Sequence, residues 1–158
     1  MSEQFTPIDI VGVFSSASAS DTEAFGKSLA EIYLTDSSLP RFIALYGDLG
    51  VGKTAFVRGF TAPLSPSARV KSPTFALVNE YRGNPLSVFH FDMYRIEDED
   101  SLYSIGFYDY LDRPGVSLVE WSENIAYALP ERYLRVEIVK DNPDAPDSRS
   151  IAVTLIGQ

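Results

Sequence analysis

Gly47, Gly52, Lys53 and Thr54 stand in the register G-x-x-x-x-G-K-T inside YGDLGVGKTAF, residues 46–56. Those residue types at that spacing suit a polyphosphate. The anion needs several donors converging on it, and backbone N–H groups supply them where the chain curls around it. Curling demands unusual backbone angles and no Cβ in the way, which glycine allows. A helix starting at once adds its unpaired amides and positive dipole end. Lys53 would then reach the β- and γ-phosphates, and the Thr54 hydroxyl would ligate Mg²⁺. The bland alternative is a glycine-rich turn with an exposed lysine. The context favours the chemistry: RFIALY, 41–46, reads as a strand before the loop, and TAFVRGF, 54–60, as a helix after it.

A phosphate-bound metal needs carboxylates. Asp92 ends SVFHFD and Glu120 ends GVSLVE. An acid closing an apolar strand is costly to bury without a partner. A metal ion would offset that cost; a solvated strand end or a helix cap is the plainer reading of either acid alone. Beside a phosphate loop, a metal role is expected for at least one. His90 is the only histidine and lies two residues before Asp92, on the same side of a strand. It could orient Asp92 or a phosphate-bound water, or simply pack against backbone. In VKSPTFALVNEY, 70–81, Thr74 follows Ser72 and Pro73. Loop threonines in nucleotide switches touch the γ-phosphate and the metal, and Pro73 would hold Ser72 extended. Taken alone, the same residues also suit an ordinary strand start. Trp121, the only tryptophan, follows Glu120; it belongs either near a nucleotide or in the core.

These residues need a scaffold. Ser20 and Glu23 have capping-box spacing, and Phe25, Leu29, Ile32 and Tyr33 then share a helical face. SSASAS, 15–20, reads as the loop leading into that helix, and Pro40 closes the turn after it. TFALVNEY and LSVFHFDMY, separated by RGNP, predict an antiparallel hairpin with a four-residue loop. EDEDSLYSIGFYDYL predicts a helix from about Asp100 to Leu111 with acids at its start. GVSLVEW, LRVEIV and SIAVTLI read as strands, the last two joined by KDNPDAPDSR. The expected fold is a P-loop NTPase-like three-layer α/β domain over residues 1–158. Its mixed sheet has a parallel core around RFIALY and antiparallel hairpin strands beside it.

Composition bounds the partners. A chain of 158 residues with 45% hydrophobic and 22% charged residues suits one globular domain. There is no cysteine, so disulfides, thiolate metal sites and thiol nucleophiles are excluded. MSEQFTPIDIVGVF lacks a basic segment ahead of an apolar core, so no secretory signal is expected. No apolar run approaches membrane-spanning length. A cytoplasmic protein is expected. The net charge of −9 opposes sustained binding to phosphate backbones by this chain alone.

GDLGVGKTAFVRGF, VKSPTFALVNEY, HFDMYR and LVEWSE, together with DTEAFGKSLAE, resemble the TsaE family, also called YjeE, in order and spacing across nearly the whole chain. The resemblance implies a weak Mg-dependent P-loop ATPase that binds the TsaB–TsaD pair. It supports that pair's turnover in making threonylcarbamoyladenosine on tRNA, with tRNA contact indirect. It further implies that Gly50, Val51, Gly52, Lys53, Thr54 and Ala55 wrap the phosphates of ATP. Thr54 and Glu120 would ligate Mg²⁺, and Asp92 would act near the metal or its waters. Thr74 would be the switch threonine, and Trp121 and Thr22 would lie close to the nucleotide. Two other readings of a phosphate loop stay open: a small-molecule kinase, and a nucleotide-gated binding module with incidental hydrolysis.

Overall fold

The computed structural model describes residues 11–48 and 50–157; the N-terminal segment read above for a leader lies mostly outside them. Strands β1 (Gly12–Ser16), β2 (Phe42–Tyr46), β3 (Val78–Tyr81), β4 (Ser87–Asp92), β5 (Gly115–Glu120), β6 (Tyr133–Val139) and β7 (Arg149–Ile156) form a seven-stranded sheet. Its order is β1-β7-β6-β2-β5-β4-β3. β6, β2, β5 and β4 run parallel, while β7, β1 and β3 pair antiparallel at the two sides. The parallel core around RFIALY and the β3–β4 hairpin are therefore as expected.

Helices α1 (Ala19–Thr35) and α2 (Lys53–Leu64) cover one face of the sheet. Their core includes Leu29, Phe56, Phe60, Ile43, Leu118 and Val136. The other face carries α3 (Glu99–Ser104), α4 (Phe107–Leu111) and a 3-10 segment (Ser122–Ala128). Phe42, Phe89, Phe91, Met93 and Phe107 fill the space there. The period-two alternation of β4 explains the split. Phe89 and Phe91 enter the second core, while Val88 enters the first. No helix among the described residues is long and apolar enough to cross a membrane.

Four local expectations are corrected. The α1 cap is Ser18, which accepts from the Asp21 amide at 3.1 Å, and Asp21 accepts from the Ala17 amide at 3.0 Å. Glu23 instead faces Arg58 at 3.8 Å. The helix expected from Asp100 to Leu111 is two short helices, because Gly106 takes φ 75° between them. The hairpin strand expected from Thr74 begins only at Val78, since Leu77 adopts φ 69° and breaks the extended run. The loop it forms with β4 spans 82–86. Finally, β1 was not anticipated; it occupies Gly12–Ser16 and takes Ser15 and Ser16, the first two residues of the SSASAS run read as loop.

The two helices beside the loop cross at glycines. A Cβ on Gly59 would lie 1.8 Å from the Glu23 carbonyl oxygen, and one on Gly26 would lie 2.3 Å from that of Phe56. Gly59→Ala would improve helix propensity by about 1 kcal/mol. The backbone clash outweighs that, because neither helix can yield locally. A net loss of about 2 kcal/mol is expected, read as a lowered urea midpoint.

Candidate functional site

The glycine-rich loop joins the carboxyl end of β2 to the start of α2. Open α/β sheets bind ligands at the carboxyl ends of parallel strands. Gly47, Gly50 and Gly52 take φ 148°, 82° and 109°, angles that strain other residues. At Gly47 a side chain is also excluded by space, since a Cβ would meet the Ile138 carbonyl oxygen at 2.6 Å. Gly52 is the N-cap of α2 and offers no side-chain cap. The first amides of a helix have no intrahelical acceptor, so this terminus presents unpaired donors.

Lys53 is buried, and its Nζ donates to the Gly47 carbonyl at 2.7 Å. The same ammonium lies 3.8 Å from Glu120 Oε1 and 5.1 Å from the Trp121 ring centre. Trp121 adopts φ 58° directly after β5. A left-handed tryptophan costs about 1 kcal/mol, and the turn places its ring over Lys53 and 5.0 Å from that of Tyr94. It is half-buried against the second core, as the core expectation for Trp121 had it.

A cavity of about 270 Å³ is lined by Gly50, Gly52, Lys53, Thr54, Ser72, Thr74, Asp92, Glu120 and Trp121. Most residues singled out from sequence meet there. Asp92 and Glu120 are partners across the parallel β4–β5 ladder, so both acids finish at one level. Asp92 is buried and accepts from the Tyr94 amide at 2.9 Å through Oδ1. Thr74 Oγ1 lies 2.8 Å from Ser72 Oγ. Its loop is fixed to β4, because the Leu77 carbonyl accepts the Asp92 amide at 2.9 Å.

Three expected residues do not line that cavity. Val51 and Ala55 have buried side chains, so only their backbone can serve a ligand. The Thr22 hydroxyl is 2.7 Å from Ser16 Oγ. Thr22 faces a separate hollow of about 150 Å³ with Gly50, Val51, Gly52, Asp147 and Arg149. His90 does not orient Asp92: its Nε2 is 2.6 Å from Glu120 Oε2. The diagonal between neighbouring strands, invisible in one strand's periodicity, decides this.

Arg149 was not singled out. Its Nε donates to the Val51 carbonyl at 2.8 Å, and its Nη1 to the carbonyls of Pro146 and Ser148 at 2.6 and 2.9 Å. It anchors the glycine-rich loop from β7, and nothing in the polar run KDNPDAPDSR signals that. Removing a charge-assisted bond costs about 1.5–3 kcal/mol. Arg149→Ala should lower nucleotide affinity by about 10-fold at most, because the loop loosens but keeps its donors. Titration calorimetry beside a melting curve checks this.

The donor set around the cavity fits Mg²⁺. It comprises a threonine hydroxyl and two carboxylates, all hard oxygens. Among the described residues no group of three or more histidines and acids could hold a metal.

The fold and this loop define a P-loop NTPase-like α/β domain. The family model for threonylcarbamoyl adenosine biosynthesis protein TsaE matches residues 16–151, and the chain belongs to the TsaE family. It is 39% identical over 137 residues to the tRNA threonylcarbamoyladenosine biosynthesis protein TsaE of Haemophilus influenzae, covering 85% of each chain. Identity to the Bacillus subtilis protein of the same name is 37% over 131 residues, 83% of this chain and 80% of that one. The crystal structure of Bacillus subtilis YdiB superposes with a TM-score of 0.73 at 30% identity, covering 92% of this chain and 85% of that one. The family's place in tRNA threonylcarbamoyladenosine biosynthesis is thereby the place of this chain.

Proposed function

We propose that this chain binds MgATP at the glycine-rich loop and hydrolyses it weakly, in the cytoplasm, in support of a TsaB–TsaD pair. The observation that carries the reading is the single cavity joining the α2 terminus, Lys53, Thr54, Asp92 and Glu120. Amides from Gly50 to Ala55 and the Lys53 ammonium neutralise the phosphates. Lys53 exchanges its bond to the Gly47 carbonyl for phosphate oxygens. Thr54 and Glu120 would hold Mg²⁺, with Asp92 placed for it or its water shell. The bound ion supplies charge stabilisation for the oxygens of the transferring phosphoryl group. Thr74 closes the cavity from the hairpin side. Catalysis is then positioning plus charge stabilisation.

Among the described residues, Lys53 is the only cation lining the cavity. Fast phosphoryl transfer often needs an arginine to stabilise the transition state. A site without one suits slow basal hydrolysis and activation by a partner. The test is phosphate release by the purified chain, alone and with TsaB, TsaD and tRNA. Release that rises with the pair and needs no acceptor supports the reading. Stoichiometric transfer to a metabolite would replace it with a kinase.

One observation favours a gating role beside hydrolysis. The Thr74 loop and the Asp92 backbone share a hydrogen bond through Leu77, so a shift of one moves the other. Capture of the TsaB–TsaD pair should then differ between ATP-loaded and ADP-loaded chain.

A further inference from the structure

His90 has no part in the scheme above. Its side chain is fully buried in β4, one of the strands that carry the acids. Nε2 lies 2.6 Å from Glu120 Oε2, and Nδ1 has no hydrogen-bond partner among the described residues. In the ladder His90 stands opposite Leu118, while Asp92 stands opposite Glu120. The imidazole therefore approaches Glu120 from beneath, on the side away from the cavity mouth.

We propose that His90 is a positioning residue that divides the work of the Glu120 carboxylate: its Nε2–H holds Oε2, so that only Oε1 is presented to the nucleotide site. The inference rests on the MgATP reading of that site. The tautomer follows from the contact. With the proton on Nδ1, the bare Nε2 lone pair would face the acceptor-only Glu120 Oε2 at 2.6 Å. The proton belongs on Nε2, where Glu120 accepts it. The last torsion of a glutamate is broad and roughly two-fold, so an unanchored carboxylate could offer either oxygen, or turn both onto Lys53. With Oε2 engaged, Oε1 is the oxygen left 3.8 Å from Lys53 Nζ. Metal sites commonly use a carboxylate to orient a ligating imidazole. Here the order is inverted, and an imidazole orients the carboxylate.

The test has two arms. In the first, affinity for ADP is titrated with and without Mg²⁺ in wild type, His90→Leu, His90→Gln and Glu120→Gln. Loss of a group that orients a ligand costs about 10–100-fold in metal affinity. His90→Leu should lose about 10-fold of the Mg²⁺-dependent gain while metal-free affinity holds within about 2-fold. His90→Gln, which keeps a donor, should restore most of it. A His90→Leu variant with the full gain overturns the proposal, provided Glu120→Gln has lost it. If Glu120→Gln also keeps the full gain, the metal-site reading itself fails. The second arm needs no variant of His90 to fold. The chain has one histidine, so its imidazole nitrogens are observed singly by ¹⁵N NMR. Without nucleotide, Nε2 should be the protonated, pyrrole-type nitrogen, and its resonance should shift in Glu120→Gln. A neutral ring with its proton on Nδ1 alone, which leaves Nε2 without the hydrogen it must donate, overturns the proposal.

Discussion

Lys53→Ala is expected to abolish tight nucleotide binding while leaving the fold in place. Among the described residues, Lys53 is the only cation lining a cavity whose other charged side chains are Asp92 and Glu120. Without it, a polyphosphate would meet two carboxylates with only backbone dipoles to offset them. Truncating one member of a buried charged pair costs about 2–5 kcal/mol, which corresponds to an affinity loss of about 30- to several thousand-fold. The ammonium also bonds the Gly47 carbonyl, so the variant loses a local contact. That contact sits at the sheet's edge of the loop, outside both apolar cores, and the melting temperature should fall by only a few degrees. Trp121 lies 5.1 Å from the ammonium, and its fluorescence gives a second reading of occupancy. Unchanged affinity and turnover in this variant would show that the site has been wrongly assigned.

Glu120→Gln is expected to change nucleotide affinity in opposite directions with and without Mg²⁺. Without the metal, the substitution removes a negative charge facing the phosphates, so affinity should rise. With the metal, it removes a ligand, so affinity should fall and turnover should drop about 100-fold or more. A purely structural role for Glu120 would lower both affinities together. The reversal of sign therefore separates a metal ligand from a buried ion-pair partner of Lys53, which geometry alone leaves equal at 3.8 Å. Titration of ADP in EDTA and in excess Mg²⁺ reads both directions in one experiment.

The loop, its flanking strand and helix, and both acids were legible because each is written locally. Glycines at Gly47 and Gly52, a lysine and a threonine in fixed register, and an acid ending an apolar strand need no tertiary knowledge. Other features depend on contacts between distant segments. His90 reaches Glu120 rather than Asp92 because two parallel strands lie in one particular register. Arg149 reaches Val51 across 98 residues of sequence. The break at Gly106 and the late start of β3 come from left-handed residues. At Leu77 that conformation is unfavourable in itself, and a local bond to the Pro73 carbonyl and a tertiary one from the Asp92 amide hold it. The Ser18 cap displaced the Ser20 cap for a simpler reason. Several serines lie in the same short run, and composition does not choose between them.

The central claim is that a curled main chain with one ammonium receives the phosphates of ATP while Asp92, Glu120 and Thr54 face its magnesium. A crystal structure of the chain with Mg²⁺ and a non-hydrolysable ATP analogue tests it most directly. Expected there are β- and γ-phosphate oxygens on the amides of Gly50 to Ala55, Lys53 Nζ moved from the Gly47 carbonyl onto phosphate, and the ion on Thr54 and Glu120 Oε1. A nucleotide bound elsewhere, with those amides facing only solvent, would contradict it.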